Sequence, residues 1–404
     1  MPSADTIYRV PTPYPDKRTN PHIAVIALVV QQRRDVDGTP YGVRESRTIH
    51  VGRDAHIAPL PSNTHRYKKN TPSRCACHPS KEGNFGAAIH MHKRRTLHLH
   101  HSINMEVFSM KTPVFTGSSV AIVTPFCDGK VDFNKLGELI DFQIAGGTSA
   151  ITICGTTGEC STLSLEEHIQ VVDFCVKHVN SRVKVIAGTG SNDTMAALFL
   201  SQEAEKSGAD ALMMATPYYN KTTQLGLVKH YTFIADRVST PIILYNVPSR
   251  TGMSFTAETY KELSKHPNIN GVKEASGDFS LIAATIAACG DSLYVWSGND
   301  EDVVPMMSIG AKGVISVLAN IVPSVVAEMT EACLNNDFKR GAALQLKYLD
   351  LINNLFIEVN PMPVKAALNL MGMDVGEPRL PLCELGAGNL EKLRLALIDS
   401  ALIK

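Results

Sequence analysis

From Gly117 onward, short apolar runs alternate with longer stretches in which apolar residues recur every three or four positions. The short runs, residues 118–125, 150–155, 184–188, 211–216, 241–247, 269–275, 294–298 and 313–318, read as β-strands. Most are nearly continuous in aliphatic residues, the pattern of strands buried on both faces in a parallel sheet. The stretches between them carry helix punctuation. An amphipathic pattern covers residues 132–145. Ser164 stands as an N-cap, with Glu166 and Glu167 in the first turn, where the helix dipole favours them. Residues 193–207 form a further helical pattern that Gly208 ends. After Pro323 the pattern is helical alone, over residues 323–335, 338–359, 363–371 and 389–402.

Eight strand–helix beats within about 200 residues predict an α/β fold, a (β/α)8 or TIM barrel. Residues 110–335 are expected to form the barrel and residues 336–404 a C-terminal helical appendix. An open, doubly wound sheet is the competing architecture. It is disfavoured because no glycine-rich dinucleotide fingerprint appears; Gly188-Thr-Gly190 is only a lone pair at a strand end.

Residues 1–109 break the pattern. They hold 10 of the 22 prolines and 10 of the 14 histidines, with no sustained periodicity beyond the apolar run 23–30. Such a composition buries too little apolar surface to offset ordering entropy, so a largely disordered extension is expected. Cys75-Ala-Cys77-His78 and the cluster His90, His92, His98, His100 and His101 are soft-metal ligands by type. Neither has structural zinc spacing, and no metal is assigned. The expectation is that Met110 is the native start and that the residues before it are upstream sequence.

Charge sharpens the division. The formal net charge of zero conceals +8 over residues 1–109 and −8 over residues 110–404. An acidic body argues against nucleic acid as a partner. The nine cysteines are scattered and odd in number, which fits reduced thiols in the cytoplasm. The run 23–30 is too short to span a membrane, so neither a membrane anchor nor a secretion signal is expected.

In a barrel, the carboxyl ends of the strands carry the chemistry. Here those ends present Thr156, Thr157 and Glu159 after the second strand, and Pro217, Tyr218, Tyr219 and Asn220 after the fourth. Tyr245, Asn246, Pro248 and Arg250 lie at and after the fifth, and Lys273 lies on the sixth. A lysine on a buried strand is costly unless its charge is paired or its pKa is depressed. A depressed pKa makes an amine nucleophilic enough to form an imine with a carbonyl. The plain alternative is a lysine whose stem packs while its amine reaches solvent. No Gly-x-Ser-x-Gly elbow is present, and no His or Cys pair in the barrel has metal-ligand spacing. One amine, several phenols and threonine hydroxyls suit carbanion chemistry through an imine on a keto acid.

Four segments occur in order at these ends: Gly155-Thr-Thr-Gly-Glu159, Thr216-Pro-Tyr-Tyr-Asn220, Tyr245-Asn-Val-Pro-Ser-Arg-Thr-Gly252 and Gly271-Val-Lys-Glu-Ala275. Together they resemble the pyruvate-dependent class I aldolase family, in its dihydrodipicolinate synthase branch, over residues 114–403. The resemblance implies condensation of pyruvate with aspartate semialdehyde, the step that opens lysine biosynthesis, without an added cofactor. It implies Lys273 as the imine-forming residue and Tyr245 as the proton relay, joined through Thr156 to Tyr219. Tyr219 is expected to enter a neighbouring subunit's site within a homotetramer of tight dimers. Thr157 is expected to hold the pyruvate carboxylate and Arg250 the carboxylate of the aldehyde. Gly298 and Ile315 are expected to line the floor, Ile315 through its carbonyl. The alternative within the resemblance is an N-acetylneuraminate lyase or a keto-deoxy-sugar-acid aldolase; Arg250 favours the shorter, carboxylated aldehyde. Leu165 and Ala196 occupy positions where lysine-inhibited relatives carry polar ligands, so weak or no feedback by lysine is expected.

Overall fold

The computed structural model describes residues 111–404. The expectations placed on residues 1–109, with the start at Met110, lie outside the described residues. Eight parallel strands close into a barrel: β1 (Gly117–Ala121), β2 (Ala150–Ile153), β3 (Lys184–Gly188), β4 (Ala211–Ala215), β5 (Ile242–Asn246), β6 (Ile269–Glu274), β7 (Tyr294–Ser297) and β8 (Gly313–Ser316). Each pairs with the next, and β8 pairs back onto β1 with Gly117 beside Gly313. The predicted strands are all present, but most end one to four residues earlier than the apolar runs suggest. Some overrun residues still bond the neighbouring strand: Thr216 N donates to Tyr245 O at 3.3 Å and Gly298 N to Glu274 O at 2.7 Å.

Helices cover the outside, and their starts follow the local chemistry. Ser164 accepts from Glu167 N while the Glu167 side chain accepts from Ser164 N, a complete capping box for helix Leu165–Val179. Asp132, Asp193 and Thr223 cap the helices that follow them in the same sense. An antiparallel hairpin between Phe126–Cys127 and Lys130–Val131 was not anticipated, nor was the short helix Pro248–Thr251. The hairpin turn, Asp128-Gly129, has both residues at positive φ, for which Asp-Gly is a strong local signal. The expected helix over 338–359 divides into Phe338–Lys347 and Leu349–Asn354, with Tyr348 leaving helical geometry between them. Met362–Leu370 and Ala387–Asp399 follow.

Two apolar layers result. Alternate strand residues such as Val185, Leu212, Leu244 and Val272 face the helices, and Ile186, Met213, Ile243, Trp296 and Ile315 fill the barrel. Phe115 stacks on Trp296 with ring centroids 5.0 Å apart. Gly271 is required beneath that indole, since a Cβ there would stand 2.4 Å from it.

Strand β6 departs from regular pairing at one point. Ile242 pairs with Ile269, but Ile243 pairs with Gly271, so Asn270 is an extra residue in the ladder. Ile269 packs with the outer layer, and beyond the bulge Val272 does too. Without the extra residue, alternation would place Lys273 on the outer face with Ile269. The bulge turns it to the barrel axis. The Asn270 amide pins this irregularity: Nδ2 donates to Thr112 O at 2.8 Å, and Oδ1 accepts from Val114 N at 3.3 Å.

Candidate active site

Lys273 is only 5% exposed, and the register sets it beside Tyr245 on one side and Trp296 on the other. Its Nζ lies 4.4 Å from the centroid of the Tyr245 ring. On the next strand end, a Cβ at Gly298 would meet the Lys273 Cε at 3.1 Å, so the absent side chain makes room for the lysine stem. Ile315 is fully buried in the same interior.

The outer face of the same two strands is locked by a second pair. Asn246 and Glu274 are in register, and Asn246 Nδ2 donates to the Glu274 carboxylate at 2.9 Å. Tyr260 OH and Ser276 N also donate to it, at 2.8 and 2.9 Å. Burial raises the Glu274 pKa, and these hydrogen bonds pull it back. The clamp sets the lateral position of Tyr245 against Lys273.

Asp300, just past Gly298, is 3% exposed. Its carboxylate accepts from Ser316 Oγ, Val317 N at 3.0 Å and Leu318 N at 2.9 Å, and so fixes the turn that follows Ile315. Burial raises its pKa; hydrogen bonds from Ser316, Leu318 and Val317 and the charge of Lys273 oppose that.

Thr156, Tyr245 and Arg250 line one cavity of about 450 Å³, together with Gly188, His168 and Tyr218. Lys273 is not on its wall but touches Tyr245, which is. Thr157 and Arg250 meet through a residue from the appendix. Asn360 Nδ2 donates to Thr157 Oγ1 at 3.0 Å, and Arg250 Nη2 donates to Asn360 O at 3.2 Å. Tyr219 stands apart, 91% exposed with φ of 68°. Among the described residues no hydrogen bond joins Thr156, Tyr245 and Tyr219.

The Thr156–Thr157 loop has a buried anchor. Glu159 accepts from Lys365 Nζ at 2.9 Å, and the two side chains are 0% and 1% exposed. Lys365 also donates to Thr124 O and Glu377 O, and Arg379 N donates to Glu159 Oε2 at 2.8 Å. The Phe126 ring of the hairpin lies under both cations, 4.3 Å from Lys365 Nζ and 4.2 Å from Arg379 Cζ. Asp300, Asn360 and Lys365 did not emerge from the sequence reading, and Glu159 appeared there only as a polar strand-end residue. Asp300 two residues after a strand-end glycine was the one local hint; Asn360 and Lys365 are some 200 residues from their partners.

The profile of the dihydrodipicolinate synthetase family matches residues 114–399. A Thermoanaerobacter sp. (strain X514) protein named 4-hydroxy-tetrahydrodipicolinate synthase is 55% identical over 293 residues, 72% of this chain and 99% of that protein. A Geobacter metallireducens protein of the same name is 54% identical over 290 residues, 72% of this chain and all of that one. The crystal structure of dihydrodipicolinate synthase from Aquifex aeolicus matches with a TM-score of 0.70 at 45% identity, covering 71% of this chain and 99% of that one. A crystal structure of DHDPS from Cyanidioschyzon merolae with lysine bound matches with a TM-score of 0.70 at 35% identity, covering 72% of this chain and 100% of that one.

Proposed function

The chain belongs to the dihydrodipicolinate synthetase family, and from that premise we infer the roles of its site residues. It is a lyase of the class I aldolase type. It condenses pyruvate with L-aspartate 4-semialdehyde to 4-hydroxy-tetrahydrodipicolinate, the first committed step of lysine and diaminopimelate biosynthesis. The observation that carries the residue assignment is the inward Lys273 with its amine at the Tyr245 ring.

In the proposed sequence, the Lys273 amine adds to the pyruvate carbonyl and water leaves, forming an imine. The iminium draws electrons as the pyruvate methyl loses a proton, and the resulting enamine attacks the aldehyde. The amine of the second substrate then closes the ring on the former carbonyl carbon and displaces Lys273. One water is lost overall. The imine itself is the electron sink, so the scheme calls for no added cofactor.

Tyr245 is the proposed proton carrier, and Thr156 shares its cavity. Thr157 accepts the Asn360 amide N–H and keeps its own hydroxyl proton for the pyruvate carboxylate. Arg250 is assigned to the carboxylate of the semialdehyde, for which a guanidinium gives directional contact. Gly298 and the Ile315 carbonyl form the floor. Tyr219 serves the site of a second subunit; its exposure and positive φ fit a side chain held out for a partner. A homotetramer built from such dimers is the proposed assembly. Among the described residues no helix is long and apolar enough to cross a membrane. Cytoplasmic location is proposed from the biosynthetic role, and recovery of the native activity in membrane fractions would contradict it.

Borohydride reduction with pyruvate tests the centre of the scheme. The wild type should gain the mass of reduced pyruvate on Lys273, and Lys273→Ala should gain none while keeping its fold. Labelling of the alanine variant to the same extent would refute the assignment.

A further inference from the structure

The Asn360 side chain is 5% exposed, and its two ends are unequally used. Nδ2 donates to Thr157 Oγ1, whereas Oδ1 is buried with no hydrogen-bond partner among the described residues. A buried amide oxygen left unpaired costs on the order of 1–3 kcal/mol, which leaves Oδ1 open to a donor that arrives with a ligand. The backbone of the same residue holds the site's guanidinium, through Arg250 Nη2 at 3.2 Å from Asn360 O. The orphan acceptor therefore lies one residue's reach from the group assigned to the semialdehyde carboxylate.

That substrate carries its ammonium on the carbon that bears the carboxylate. A carboxylate held by Arg250 brings an N–H donor, two bonds from the carboxylate carbon, close to the guanidinium that Asn360 O already holds. We propose that Asn360 is a specificity-determining residue that reads the α-amino group of the aldehyde substrate through Oδ1. The inference rests on the functional reading above and deepens it. Each partner is used once: Arg250 takes the carboxylate, Thr157 takes pyruvate, and Asn360 takes the nitrogen that later closes the ring. Once the ammonium has given up a proton, an acceptor bonded to one of the remaining N–H groups also fixes the direction of the nitrogen lone pair, which ring closure needs.

Succinate semialdehyde keeps the carboxylate and the aldehyde but lacks the amine, so it isolates the contact. A hydrogen bond involving a charged group contributes about 1.5–3 kcal/mol, roughly ten- to hundredfold in affinity. The wild type should bind aspartate semialdehyde that much more tightly than succinate semialdehyde, measured as KM against competitive Ki. Asn360→Leu should raise KM for aspartate semialdehyde by roughly ten- to hundredfold and shift the succinate semialdehyde Ki by less than about threefold. Asn360→Asp, which keeps an acceptor, should hold KM for aspartate semialdehyde nearer the wild-type value than leucine does. Equal losses for both aldehydes would overturn the proposal and leave Asn360 as a support for Arg250. So would equal wild-type affinities, a comparison that needs no variant to fold. Absence of pyruvate trapping in the wild type would instead refute the functional reading. With trapping intact, the aldehyde comparison judges Asn360 alone.

Discussion

Replacing Lys365 by methionine strands a buried carboxylate. Lys365 and Glu159 are 1% and 0% exposed and joined at 2.9 Å. Burial lowers the Lys365 pKa and the Glu159 charge raises it again, so neither group is comfortable without the other. In Lys365→Met, Glu159 keeps the Arg379 N–H at 2.8 Å, while Thr124 O and Glu377 O lose the donors they had at 3.1 Å. Breaking a buried pair from one side costs about 3–5 kcal/mol. At roughly 2–4 °C per kcal/mol for a chain of this size, Tm should fall by roughly 6–20 °C. The loop carrying Thr156 and Thr157 ends at Glu159, so KM for pyruvate should rise as well. Combining the change with Glu159→Gln removes the stranded charge and leaves only neutral hydrogen bonds missing, each worth about 1 kcal/mol. The double variant should therefore melt above the single one. Differential scanning calorimetry and steady-state kinetics read both effects. A single variant within about 2 °C of wild type, or a double variant melting below it, would refute the idea that the pair is desolvated and mutually dependent.

Arg250→Ala should weaken use of aspartate semialdehyde far more than pyruvate trapping, and lysine should not restore it; parallel losses would point to a structural role. Tyr219→Phe should lower turnover while melting like the wild type, and a fully active monomer in sedimentation would contradict the shared site. His230 is buried and its pKa is depressed to about 4, chiefly by desolvation, against an ordinary 6.5. It stays neutral in the fold while the unfolded chain protonates. About 3 kcal/mol of stability present above pH 6.5 should thus be lost as pH falls to about 4. His230→Asn should flatten that slope, and an unchanged slope would exclude His230 as its source. Leu165 and Ala196 offer no charge to a diammonium ligand, so initial rates should hardly respond to millimolar lysine; strong inhibition would mean that other groups, such as Ser161, His168 or Tyr218 on the cavity wall, supply the binding.

Local patterns in the chain settled what depends on near neighbours. Strand runs, the capping residue Ser164 and the terminator Gly208 act within a few residues, and their chemistry is visible in the letters. The same holds for strand-end motifs, because a barrel brings all such ends to one mouth once eight strands are counted. Facing and contact across the barrel were decided only by the tertiary structure. Strict alternation from Ile269 would point Lys273 away from the axis; the extra residue Asn270, pinned by residues 112 and 114, turns it inward. No periodicity in six residues can reveal a bulge that a partner some 150 residues earlier holds in place. Glu159 with Lys365, and Thr157 with Asn360, are likewise joined across about 200 residues. Their pairing follows from burial: once the appendix covers the loop, a charge or amide trapped there must find whichever partner the packing brings, and sequence distance carries no information about which one that is.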